Sequence, residues 1–152
     1  MASDAATLRP GTIQRRRELF EEAAAIIALE YPDRLELEGL ARRLATSPRQ
    51  LQRAFREAGE TGFRSHLRRV RIERAAELLR DGWPVSETAR AVGYSQPAHF
   101  AKAYRRERGR LPGTERRRSS LIGGFRHQAG AAGGGGGRPS LRARRQTRRQ
   151  LR

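Results

Sequence analysis

The sequence predicts an all-α chain in which two helix-turn-helix units are joined by one long helix. Three observations predict it. Apolar residues recur every three or four positions from Leu19 to Tyr31, a stretch that begins near Ser47 is written again near Gln96, and the segment Phe63 to Arg80 between the copies holds neither proline nor glycine.

Residues 1–11 show no periodicity and end in Pro10-Gly11, which reads as a disordered arm. From Thr12 a helix is expected. Its apolar stripe is Leu19, Phe20, Ala23, Ile26, Ile27 and Tyr31, and Pro32-Asp33 stops it.

The repeat supplies the next elements. "SPRQLQRAF" at Ser47 to Phe55 matches "QPAHFAKAY" at Gln96 to Tyr104. Extended backwards, Leu37 pairs with Val85, Ala41 with Ala89, Leu44 with Val92 and Ser47 with Ser95. Past one inserted residue, Gln96, Pro48 pairs with Pro97, Leu51 with Phe100, Ala54 with Ala103 and Phe55 with Tyr104. Two copies are too few for a solenoid.

Each copy reads as a short helix, a break and a second helix, the first unit over about 36–58 and the second over about 84–108. Ser47 suits an N-cap, and Pro48 the first helical position, where its missing N–H has no intrahelical partner. Leu51, Ala54, Phe55 and Ala58 then follow i, i+3, i+4, i+7, leaving Arg49, Gln52, Arg53 and Arg56 on the opposite face. In the second copy Phe100, Ala103 and Tyr104 form the apolar face, and Gln96, Ala98, His99, Lys102 and Arg105 point away from it.

Such outward sets suit major-groove reading. Arginine pairs with guanine O6 and N7, glutamine with adenine N6 and N7, and alanine meets a thymine methyl. Between the units, about 62–80, Leu67, Val70, Ala75 and Leu78 sit at helical spacing. Eighteen helical residues span about 27 Å. With their flanking helices, two recognition helices fall about 34 Å apart, one turn of B-DNA. One chain thus holds both reading heads and is expected to act on double-stranded DNA as a monomer.

Charge agrees with a polyanionic partner. The 152 residues include 33 Lys plus Arg against 16 Asp plus Glu, a net charge of +17, which attracts nucleic acid. Lys102 is the only lysine, so position says more than count. With no cysteine, disulfides and thiolate metal sites are excluded. Glu21, Glu22 and Glu30 interrupt any apolar export-signal core after Arg15, and a cytoplasmic chain without a membrane span is expected. No catalytic set, metal site or cofactor loop is found. Residues 119–152, with the glycine run that begins at Gly133 and an arginine-rich end, read as a disordered basic tail able to add non-specific affinity.

From about Leu19 to Arg117 the chain resembles the DNA-binding domain of the AraC/XylS transcription regulators. The resemblance rests on "LARRLATSPRQLQRAFREAG", "RRVRIERAAELL" and "VSETARAVGYSQPAHFAKAYRRERGRLPGTER", with Gly93-Tyr94, Phe100, Tyr104, Gly109 and Pro112 in register. It implies about seven helices over residues 12–118. It also implies base-facing positions at Arg49, Gln52 and Arg53 in the first unit and at Pro97, Ala98, His99 and Lys102 in the second. Gln50, Arg56, Arg68, Arg69, Gln96 and Arg105 are assigned to phosphates, which position without specifying.

The chain departs from the family pattern at four places. His66 stands where a tyrosine usually opens the linker helix, Glu60 where a glycine is expected, Thr88 for an aliphatic residue and Glu115 for an aromatic anchor. The 35 residues before the first unit are too few for a sensor domain, which suggests a short stand-alone member or a domain separated from its sensor. Activation requires a surface for RNA polymerase, whereas repression needs only occupancy. The rival is a coating or RNA-binding protein driven by arginine charge. Against it, aromatic residues are few and Phe55, Phe100 and Tyr104 are needed in the core.

Overall fold

A computed structural model describes residues 10–123, which contain seven helices and, among the described residues, no strand. They are α1 (Pro10–Glu30), α2 (Leu37–Arg43), α3 (Pro48–Glu57), α4 (Phe63–Arg80), α5 (Val85–Ala91), α6 (Pro97–Arg108) and α7 (Pro112–Gly123). The all-α class with two helix-turn-helix units on a long connecting helix is the one the sequence predicts.

The ends differ from expectation. α1 opens at Pro10, so Pro10 and Gly11 are helical rather than part of an arm. Proline is tolerated in a first turn, where its nitrogen has no carbonyl to bond. α7 continues past Arg118 to Gly123, because no proline or glycine interrupts it until Gly123-Gly124. The rest of the expected arm, residues 1–9, and of the expected tail, residues 124–152 with His127, lies outside the described residues.

Two cores form, one per unit. Ala23, Ile27, Leu40, Ala41, Leu51, Phe55, Phe63 and Leu67 make the first. Ile72, Ala75, Ala76, Leu79, Ala89, Val92, Phe100, Ala103 and Tyr104 make the second. Repeat-matched pairs occupy matched places: Ala41 and Ala89, Leu51 and Phe100, Ala54 and Ala103, Phe55 and Tyr104 are all buried. Burying a large apolar side chain stabilises by about 1.5–3 kcal/mol, so these pairs hold the second helix of each unit to its own support.

α4 serves both cores. Its first half gives Phe63, Leu67 and the half-buried Val70 to the first, and its second half gives Ile72, Ala75, Ala76 and Leu79 to the second. Tyr31, at the end of α1, packs against both.

Each helix-turn-helix break is closed the same way. A residue with left-handed φ, Ala45 at 50° and Gly93 at 92°, lets the next amide bond five residues back, Thr46 N to Ala41 O at 3.0 Å and Tyr94 N to Ala89 O at 2.9 Å. That satisfies a carbonyl the helix end would leave unpaired.

The four departures from the family pattern also have physical accounts. Glu60 takes the left-handed φ of 51° that a glycine would adopt without strain, and Thr61 N bonds Phe55 O at 3.1 Å around it. His66 is half-buried and edge-on to Phe20 and Phe55, with ring centroids 5.5 and 5.6 Å away. Burial, reinforced by the Arg69 charge, pushes its pKa below the ordinary histidine value. Buried Thr88 spends its hydroxyl on Pro84 O at 2.9 Å. Glu115 replaces an aromatic anchor with an ionic one. Its buried carboxylate meets Arg110 Nε at 2.5 Å, with Arg80 and Arg108 at 3.7 and 4.0 Å.

Candidate nucleic-acid interface

The interface is built from the residues that the two cores leave outside. On α3, Ser47 caps the helix by accepting from Gln50 N at 3.2 Å, and Pro48 follows at the first position. Leu51, Ala54 and Phe55 are buried, and helical periodicity then turns Arg49, Gln50, Gln52, Arg53 and Arg56 to solvent. All five are exposed, as expected.

α6 repeats the arrangement with one change. Its cap position is Gln96, whose side chain makes no cap bond. The serine that the repeat pairs with Ser47 is Ser95, one residue too early, because the insertion of Gln96 lengthens the turn. Gln96, Pro97, Ala98, His99, Lys102 and Arg105 are all exposed beside buried Phe100, Ala103 and Tyr104.

The arginines of the described residues divide into two groups. One is spent inside the fold. Arg16 of α1, itself buried, pairs with Glu57 at the end of α3. Arg43 grips Glu30 with two hydrogen bonds of 2.7 and 2.9 Å, which raise its pKa. Arg71 reaches the carbonyls of Tyr31 and Asp33. The other group includes Arg49, Arg53, Arg56 and Arg105, which, like Lys102, form no ion pair with any described residue. These cations sit on the two outward helix faces, free to meet an external anion.

Arg68 departs from expectation. Assigned from sequence to a phosphate, its guanidinium is half-buried, 2.5 Å from Glu107 and 3.2 Å from Ser65. It ties α6 to α4, as Arg16 ties α3 to α1, because the fold brings a carboxylate of α6 over this face of α4. Arg69 is exposed, with His66 Nδ1 at 3.4 Å.

Sequence reasoning passed over Arg71, whose side chain lies between the turn that ends α1 and Tyr94 of the second unit. One signal was available: it lies four residues after Leu67 and four before Ala75, so an arginine occupies the apolar register of its helix.

Among the described residues no group of three or more His, Cys, Asp or Glu is placed to hold a metal ion, and no helix is long and apolar enough to cross a membrane.

Comparison with known proteins agrees with this geometry. Residues 40–118 match the family described as a helix-turn-helix domain. The HTH-type transcriptional regulator GlxA of Rhizobium meliloti is 44% identical over 94 residues, 60% of this chain and 28% of that protein. The chain spans well under half the length of the curated relatives it matches. An AraC-type regulator from Chromobacterium violaceum shares the fold, with TM-score 0.65, 24% identity and coverage of 77% of this chain and 99% of that one. The DNA-binding domain of AdpA, solved in complex with a target DNA, is similar with TM-score 0.61 and 25% identity over 73% of this chain and 97% of its own. Two helix-turn-helix units with separate cores on one connecting helix, and relatives of this kind, place the chain in the AraC/XylS family of helix-turn-helix transcription regulators.

Proposed function

We propose that this chain is a sequence-specific DNA-binding transcription regulator that sets α3 and α6 into two adjacent major grooves of an asymmetric site of about 20 bp and does so as a monomer. The observation behind this reading is the pair of unpartnered cationic helix faces, each backed by its own core and both mounted on α4. The DNA complex of the similar AdpA domain supports the choice of partner.

Arg49, Gln52 and Arg53 read bases in one groove, and Pro97, Ala98, His99 and Lys102 in the other. Gln50, Arg56, Arg69, Gln96 and Arg105 contact phosphates and fix the register. Arg68 is reassigned to the fold, since its charge is spent on Glu107. The protein works in the bacterial cytoplasm, at the nucleoid when bound, without catalytic chemistry. Repression needs only occupancy, and activation adds a contact to RNA polymerase.

Selection of duplexes from a random pool by the full chain at near-physiological salt tests this reading. The expected result is one asymmetric two-part motif, with Arg53→Ala relaxing one part and Lys102→Ala the other, each by about 1–3 kcal/mol. Absence of a motif, with affinity that simply collapses as salt rises, would instead identify an electrostatic coating protein.

A further inference from the structure

We infer that Arg71 is the positioning residue that fixes the angle between the two reading helices, and thereby the spacing of half-sites the chain accepts. The inference rests on the two-groove reading above. Its basis is a junction that belongs to neither unit alone.

Along α4 the side chains up to Val70 pack in the first core and those from Ile72 onward in the second, so Arg71 stands at the changeover. Its Nε donates to Tyr31 O at 2.7 Å and its Nη2 to Asp33 O at 2.9 Å, gripping the turn that ends α1. On the other side its guanidinium carbon lies 5.7 Å from the Tyr94 ring centroid, at the turn of the second unit. A Cβ built on Gly93 would sit 3.1 Å from that guanidinium and 2.6 Å from Pro32 O. One side chain therefore touches the turn that ends α1, a helix whose Ala23 and Ile27 belong to the first core, and the break of the second unit.

A planar guanidinium holds this shape where an ammonium would not, since its donors diverge in a fixed fork that reaches both carbonyls while its charge stays within cation–π range of the ring. Released from Arg71, the Tyr31–Asp33 turn loses both donors and Tyr94 its cation, and the units remain joined by α4, by the packing of Tyr31 on both cores and by the Arg68–Glu107 pair, none of which grips the turn through directed bonds from the changeover point. A helix can bend gently, so each unit would still read its own half-site at a less defined phase.

The test uses the full chain and duplexes whose two half-motifs are moved together or apart by one and two base pairs. Each base pair rotates a half-site by about 35° and shifts it by about 3.4 Å. Wild-type affinity should fall about tenfold or more for a one-base-pair change, and that of Arg71→Met, which keeps the aliphatic stem without donors, less than about threefold. Arg71→Lys should lie between them. A uniform loss at every spacing, or an unchanged spacing penalty, would overturn the inference.

A second measurement guards against a variant that folds poorly. The chain has no cysteine, so Glu21→Cys on α1 and Ser86→Cys on α5 accept a pair of spin labels. Their distance distribution should be narrow in the wild-type background and broaden with Arg71→Lys, and equal widths would again overturn the inference. If the wild-type chain selects no two-part motif, the functional reading fails, while the label distances still decide the clamp.

Discussion

The two helix-turn-helix units are built on one plan and held by different means. In the first, the break is self-sufficient: Ala45 takes the left-handed turn, Ser47 caps α3, and the next residues start the helix. In the second, the cap is a glutamine with no cap bond, and the turn leans on a distant part of the chain, Gly93 lying against Pro32 O and Arg71. A motif can therefore be copied in sequence while its stabilisation moves from local hydrogen bonds to tertiary contact. The second unit depends on the end of α1 in a way the first does not depend on the second.

The sharpest break of this comparison is Gly93→Ala. A methyl would enter 2.6 Å from Pro32 O at a backbone φ of 92°, and overpacking plus backbone strain should cost about 3 kcal/mol of unfolding free energy, read by denaturant titration. The matched change Ala45→Gly should cost nothing and gain at most about 0.5 kcal/mol, because the strain it relieves is only partly offset by the freedom glycine gives the unfolded chain. Comparable losses at both sites would erase the distinction.

Capping gives the next effect. Ser47→Ala should destabilise by about 1 kcal/mol through loss of the bond to Gln50 N, whereas Gln96→Ala should change stability by less than about 0.3 kcal/mol. Gln96→Ser should raise thermal stability by supplying the missing cap. The end of α3 permits a smaller gain. Glu60→Gly should stabilise by about 0.5 kcal/mol, since glycine occupies φ of 51° without strain.

A pH-dependent contribution is expected at His66 of α4, packed edge-on to Phe20 and Phe55 at the first core. Because burial holds the His66 pKa below its unfolded value of 6.5, the unfolded chain takes up this proton first as pH falls. Full stability is present above that value and is lost progressively through 6.5 down to the depressed folded pKa. His66→Phe should flatten this part of the pH–stability profile, and an unchanged profile would place the acid sensitivity elsewhere.

Much of this was legible in the sequence because it depends on short-range order. Spacing of Leu51, Ala54 and Phe55 decides which face of α3 is buried, and so which residues point outward, whatever lies opposite. Pro48 and Ser47 announce a helix start for reasons contained within four residues. In the second unit the inserted Gln96 takes the cap position, so the serine matched to Ser47 stays in the turn and the local cap is not repeated.

Only the tertiary structure decided which arginines are available. Arg68 and Arg69 are neighbours of equal chemistry, yet Arg68 is committed to Glu107, a residue 39 positions away, and Arg69 is exposed. Arg71 finds carbonyls 40 and 38 positions behind it, at the joint of two cores. By itself the sequence determined two helix-turn-helix units, their buried faces and the family. Charge partners are chosen by three-dimensional proximity at a few ångströms, which no local period encodes, so the division between cations that hold the fold and cations that face outward had to come from the fold itself.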